Sequence, residues 1–193
     1  MALQFESNIA FKEWASVVSA LQGGKQILIL RKGGIREETG EFQMEHREFF
    51  LFPTYEHQSK EDLKPEAHRD LELVLKAKPN SSLLSLQCYA QVVGAIQMTD
   101  EAELESLRPF HVWSDEAIKK RFHYGRKEGL YVIAVRVFQL PSPQTIEVTP
   151  EYAGCKSWVY LKESLKTNGA QPVLSEAVFH REWQAISAIY SSL

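Results

Sequence analysis

The stretch Gly23-Gly24-Lys25-Gln26-Ile27-Leu28-Ile29-Leu30-Arg31-Lys32-Gly33-Gly34-Ile35 constrains the fold more than any other. Its centre is apolar at consecutive positions, so a strand from Gln26 to Arg31 is hydrophobic on both faces and is expected at the centre of a sheet. Glycine pairs close it at both ends, letting the backbone turn sharply and approach a ligand closely. Arg31 and Lys32 then enter the following loop together, and two adjacent cations suit an anionic partner. The signal is one of binding more than of catalysis.

Other segments repeat the mixture of strands and helices. Phe11, Trp14, Ala15, Val18 and Leu21 fall at helical spacing, with Gly23 placed to end that helix. Glu48 to Pro53 reads as a second buried strand, and Leu71, Val74 and Leu75 mark a short amphipathic helix. Leu83 to Met98 is rich in β-formers, with Gly94 suggesting a bulge. Ala102 to Leu107 reads as a short helix. Ser114 is placed to cap another, in which Asp115 and Glu116 come first and Lys119, Lys120 and Arg121 last, as the macrodipole prefers. Leu130 to Leu140 is the clearest strand, with Pro141-Ser142-Pro143 as its expected end. Ser157 to Leu161 adds another strand, and Ser175 caps a final helix carrying Phe179, Trp183, Ile186 and Tyr190 on one face. Without regular βαβ alternation, this order predicts an α+β fold around a curled, mostly antiparallel sheet. Residues 1–161 are expected to form one domain. Residues 162–193 are expected to supply a linker (Lys162 to Gln171) and a C-terminal helix packed on that domain.

Composition narrows the function classes. The 193 residues are 44% hydrophobic and 24% charged, which is ordinary for a globular protein with a real core. A net charge of −3 removes the global basic signature of a non-specific nucleic-acid binder, so any such contact must come from a local patch. Cys88 and Cys155 are too few for a disulfide framework or a four-cysteine metal site. No secretion signal or membrane-spanning run is apparent, and a cytoplasmic protein is expected.

Local patches do carry chemistry. Arg31, Lys32, Gly33 and Gly34 suit phosphate or base-edge contact, with a plain tight turn as the equal alternative. Thr54-Tyr55-Glu56-His57-Gln58 follows a buried strand directly. There His57 and Gln58 are able either to read a base edge or to tie down a neighbouring loop. His123-Tyr124-Gly125-Arg126-Lys127 adds an aromatic and two cations, so that positions 119 to 127 hold five cations in nine residues. Dipole compensation accounts for Lys119, Lys120 and Arg121. Trp158 is a wall of a base pocket or, more simply, a core residue.

The enzyme reading has less behind it. The triplet Asp62-Leu63-Lys64 sits before Pro65 at a helix start, the wrong context for a metal-dependent nuclease. The six histidines lack metal-ligand spacing, and no nucleophile elbow or dinucleotide fingerprint is present.

Four blocks resemble a known family. They are Lys12-Glu13-Trp14, Leu30-Arg31-Lys32-Gly33-Gly34-Ile35, Phe52-Pro53-Thr54-Tyr55-Glu56-His57-Gln58 and Gly154-Cys155-Lys156-Ser157-Trp158. The family is bacterial and is catalogued as a domain of unknown function (family eighteen-oh-two). The resemblance implies no established activity, only a loose link to restriction and DNA metabolism. More distantly, the order of elements resembles the ASCH and EVE branches of the PUA-like barrels. Gly23 and Lys25 match the ASCH pattern, whereas Leu28 and Leu30 stand where it has glutamate and arginine, and Arg31 comes one residue late. This second resemblance implies a PUA-like β-barrel with surrounding helices and a cleft for RNA or modified DNA bases.

The expectation is therefore a nucleic-acid-binding module, RNA or DNA left open, that reads a modified or flipped base in a restriction, defence or RNA-related setting. Arg31, Lys32, Arg126 and Lys127 would meet phosphates, while His57, Gln58, Tyr124 and Trp158 would face the base. No cofactor, metal or membrane is expected, and the C-terminal helix is a candidate surface for a protein partner. The alternative is a metal-dependent nuclease or a small nucleoside hydrolase.

Overall fold

A computed structural model of the chain describes residues 3–32, 44–79, 82–125, 127–154 and 156–191. In chain order the elements are β1 (Glu6–Trp14), α1 (Ala15–Gln22), β2 (Leu28–Arg31), β3 (Glu48–Thr54), α2 (His68–Lys76), β4 (Leu83–Met98), α3 (Glu103–Leu107), α4 (Asp115–Phe122), β5 (Leu130–Glu147), β6 (Trp158–Lys166), β7 (Gln171–Pro172) and α5 (Glu176–Ser191). The strands form one sheet in the order β2-β5-β4-β3-β1-β6, with the short β7 also pairing with β5. Among the described residues only β1 and β3 pair in parallel; the other pairs are antiparallel.

The sheet has an apolar layer on each face, and β3 shows why. Along its Phe-Phe-Leu-Phe run, Phe49 and Leu51 enter one core while Phe50 and Phe52 enter the other. The period of two in a strand makes this alternation unavoidable once every position is apolar. β1 follows the same rule, sending Phe11 to the larger core and Ala10 to the smaller. The larger core also takes residues from α1, α2, α3, α4 and α5. No helix among the described residues is long and apolar enough to cross a membrane.

Five sequence-based expectations change. The helical spacing from Phe11 to Leu21 straddles a strand–helix junction, so Phe11 and Trp14 belong to β1 and only the residues from Ala15 are helical. β2 is apolar on both faces yet ends the sheet path rather than occupying its centre. The sheet is not closed into a barrel: no ladder joins β2 to β6 among the described residues. Pro141-Ser142-Pro143 does not stop β5. The register passes from Cys88↔Gln139 to Leu86↔Gln144, so both prolines lie in an irregularity where no ladder donor is needed. Residues 162–166 are no linker: they complete β6, which pairs with β1 as far as Glu6↔Lys166, and Thr167 beyond them is buried.

Elsewhere the expectations hold. Ser114 Oγ accepts the Ala117 amide at 3.2 Å and caps α4. Gly94 sits at a register shift of β4, and α5 lies across it through Trp183. Phe179 and Ile186 are buried beneath α5, so its apolar face is occupied by the protein's own sheet.

Candidate nucleic-acid interface

The end of β1 meets the start of α1 at Glu13-Trp14, and segments distant in sequence converge there. Thr54, paired with Trp14 at the end of β3, donates its hydroxyl to the Glu13 carbonyl at 3.1 Å. Gln58 folds back over this turn. Its Nε2 donates to the Thr54 carbonyl at 2.7 Å, and its Oε1 accepts the Ser16 amide at 3.0 Å. That amide belongs to the first turn of α1, whose N–H groups have no intrahelical partner. Gln58 is thus engaged as a helix-end anchor. His57 beside it has φ 60°, a left-handed conformation for a non-glycine residue, and is exposed.

Arg31 reaches the junction from the end of β2. Its Nη2 donates to the Lys12 carbonyl and to Ser157 Oγ, both at 3.0 Å, and its guanidinium lies 4.7 Å over the Phe11 ring. Its Nη1 stands 3.8 Å from Glu13 Oε2, an oxygen that is buried and has no hydrogen-bond partner. Lys12 is held on the far side by the carbonyls of Tyr152 and Gly154. Trp158, at the start of β6, is packed edge-on to Phe11 at 4.8 Å and Phe49 at 5.3 Å, with His46 at 5.1 Å on its outer side. His46 is in turn hydrogen-bonded to the exposed Tyr160 at 3.1 Å.

Lys32 is spent differently from the sequence expectation. Its ammonium donates to the carbonyls of Phe122, Lys127 and Gly129, so it fastens the loop after α4 instead of projecting from its own. Burial lowers its pKa, opposed by the attraction of Glu128. Tyr124 (65% exposed) and Lys127 stand out into solvent on that loop. Gly33, Gly34 and Arg126 lie outside the described residues, as does Cys155.

Arg121 completes the cluster, and sequence reasoning passed over it because its place at the end of α4 was already explained by the dipole. Its guanidinium lies 3.7 Å from the Trp113 ring centroid and 5.2 Å from that of Trp14. Burial pulls its pKa down, with Glu13 opposing, Arg31 reinforcing and Asp62 opposing. Glu13 itself was also missed. The one available signal was a charged residue embedded between an apolar strand and an apolar helix. Among the described residues, no three His, Cys, Asp or Glu side chains converge as a metal-ligand set.

The structure therefore brings Arg31 and Trp158 to one junction, with Gln58 on its other side, and ties Lys32 to the loop of Tyr124 and Lys127. The chain matches the sequence profile of Domain of unknown function (DUF1802) over residues 10–185. It belongs to this family. Every block that carried the family resemblance lies within the matched region of this DUF1802 protein. Its fold is also similar to the crystal structure of ASCH from Zymomonas mobilis, at 12% identity over 93% of each chain with a TM-score of 0.48. A serine-to-alanine mutant of that ASCH protein matches at 10% identity over 83% of this chain and 92% of that one, with a TM-score of 0.48. A tyrosine-to-phenylalanine mutant matches at 11% identity over 80% and 90%, also with a TM-score of 0.48. No curated protein matches the chain significantly.

Proposed function

We propose that this DUF1802 protein is a nucleic-acid-binding module whose interface surrounds the β1–α1 junction and the loop after α4. The observation that carries this reading is the meeting of Arg31 and Arg121, each on an aromatic face, around Glu13-Trp14. Cations held on rings are pre-organised for phosphate, and little side-chain freedom is given up when they bind it. Lys120 and Lys127 extend the positive surface, while Tyr124, His57 and Tyr160 are exposed side chains suited to stack on or bond an unpaired base. Recognition of a modified or flipped base is the finer form of this reading, with those three residues facing it.

The test is fluorescence anisotropy with single- and double-stranded RNA and DNA, including modified-base versions, across a salt series. Because Arg31 and Lys32 are both bonded into the fold, the informative variant is Lys120→Ala with Lys127→Ala. It is expected to keep the wild-type melting temperature, to weaken binding to all sequences, and to flatten the salt dependence by roughly 0.7–0.9 log units per log salt for each phosphate that is no longer neutralised. Flat titrations with every nucleic acid remove this reading.

A further inference from the structure

We propose that Arg121 is the phosphate-receiving residue of this interface, holding one phosphodiester of the bound strand with its guanidinium fork while Arg31 and the buried Glu13 set the charge around it. The inference rests on the nucleic-acid reading above and adds the residue, the chemical group it takes and the reason it is poised.

The first support is an imbalance between the two arginines. Arg31 commits Nη2 to two acceptors and faces Glu13 with Nη1. Arg121, half-buried, has neither an ion pair within 4.0 Å nor a hydrogen-bond acceptor among the described residues. None of its nitrogens is both buried and unpartnered, so its N–H groups still meet water, which an anion can displace. The second support is how it is held. Contact with the Trp113 ring engages the face of the guanidinium, which leaves the in-plane N–H groups for an acceptor with paired oxygens. Phosphate supplies such oxygens.

The surroundings are mixed in sign: Glu13, Asp62 and Arg31 all act on Arg121 through space, and none of the three is bonded to it. Glu13 attracts Arg121 through space without bonding it, and its Oε2 accepts from no donor. Asp62, the other carboxylate that acts on Arg121, already accepts from Ser59 Oγ at 3.0 Å. Arg31 repels Arg121, and an anion between two guanidinium groups relieves that repulsion. Lys120 and Lys127 on the neighbouring surface would steer a strand towards them.

Trp14 and Trp113 make the test direct, since both rings lie against Arg121. Tryptophan emission is titrated with inorganic phosphate and with dimethyl phosphate at constant ionic strength, in the wild type, in Arg121→Lys and in Arg121→Gln. The same three proteins are then titrated with the tightest oligonucleotide found above, and thermal melts establish that each is folded. A saturating change is expected in the wild type alone. Oligonucleotide affinity is expected to fall about tenfold in both variants, with the salt slope reduced by roughly 0.7–0.9, the value for one phosphate, in Arg121→Gln alone. Arg121→Lys keeps the charge, so its failure to restore affinity identifies the planar fork. Folded variants that bind the oligonucleotide with unchanged affinity and slope overturn the assignment. If Arg121→Gln does not fold, Arg121→Lys decides by its oligonucleotide affinity and by the phosphate titration. Saturable phosphate binding that depends on Arg121, in a protein that binds no oligonucleotide, retires the nucleic-acid reading and leaves an anion site at Arg121. The absence of both signals overturns both.

Discussion

Arg31 donates to Ser157 Oγ at 3.0 Å across the gap between β2 and β6, the two ends of a sheet that no backbone ladder closes among the described residues. The same Nη2 group bonds the Lys12 carbonyl, so one side chain joins the end of β2 to β1 and to the residue leading into β6. The end of β2 is therefore tied by a side chain to two strands with which it shares no ladder among the described residues.

Arg31→Ala is expected to destabilise the protein by about 2–4 kcal/mol, because it removes two hydrogen bonds and a ring contact and leaves Glu13 buried without its nearest cation. Ser157→Ala deletes one bond only and should cost about 1 kcal/mol. Urea denaturation of the two variants checks the difference. Equal costs would mean that Arg31 does not hold the seam.

Gly94 is fixed by Trp183. A Cβ at position 94 would stand 2.5 Å from the Trp183 Cη2 atom, well inside contact distance, and this ring lies on α5 where it meets β4. Gly94→Ala is expected to cost about 1–3 kcal/mol by overpacking and to shift tryptophan emission as the indole moves. Combining it with Trp183→Leu should cost less than the sum of the two single changes, since the clash disappears with the ring. Additive costs in that double-mutant cycle would place the effect of Gly94 elsewhere.

The parts of this fold legible in the sequence are those where a local pattern carries the tertiary fact. Glu48 to Pro53 is apolar at successive positions because β3 has a core on each face, and Ser114 caps its helix with its own hydroxyl. The failures are places where local signals overlap. Phe11, Trp14, Ala15 and Val18 keep helical spacing across a junction between a strand and a helix. Pro141 and Pro143 look like an end because their tolerance inside β5 depends on the partner strand. The candidate site was half visible for the same reason. Arg31, Trp158 and Gln58 announced themselves, but their bonding to Ser157, Phe11 and Ser16 required the fold. Arg121 was hidden behind an adequate local explanation, and nothing near it in sequence points to Trp113 or Trp14 as its supports.

Cys88 is buried in the larger core, and burial pushes its thiol pKa up to about 12. Its Sγ donates towards Gln139 Oε1 at 3.4 Å. The thiolate is the reactive species, so at pH 8 about one thiol in ten thousand would be ionised even if reagent reached it. In a Cys155→Ser background, folded protein is expected to resist iodoacetamide, and protein in urea to be alkylated stoichiometrically, as mass spectrometry reads. Rapid labelling of the folded form would exclude a core position for Cys88.

His111 supplies the pH dependence. It is 5% exposed, its Nδ1 is buried without a partner, and burial together with the nearby Lys64 charge pushes its pKa down to about 3. The Lys64 ammonium is held beside it by the carbonyls of Arg108 and His111. In the unfolded chain the imidazole returns to an ordinary pKa of about 6.5. Above that value His111 is neutral in both states and costs nothing. As the pH falls below it, the unfolded chain takes up a proton that the folded protein refuses, so stability falls by up to about 1.4 kcal/mol per pH unit until the pH approaches 3. Urea midpoints measured between pH 7.5 and 4 should therefore decline in the wild type, and decline less steeply in His111→Gln, which retains a polar side chain that does not titrate. The proton resonances of the His111 ring should stay at their neutral shifts throughout the folded range. An ordinary titration near pH 6.5 in the folded protein would show that His111 reaches solvent and takes no part in the acid sensitivity.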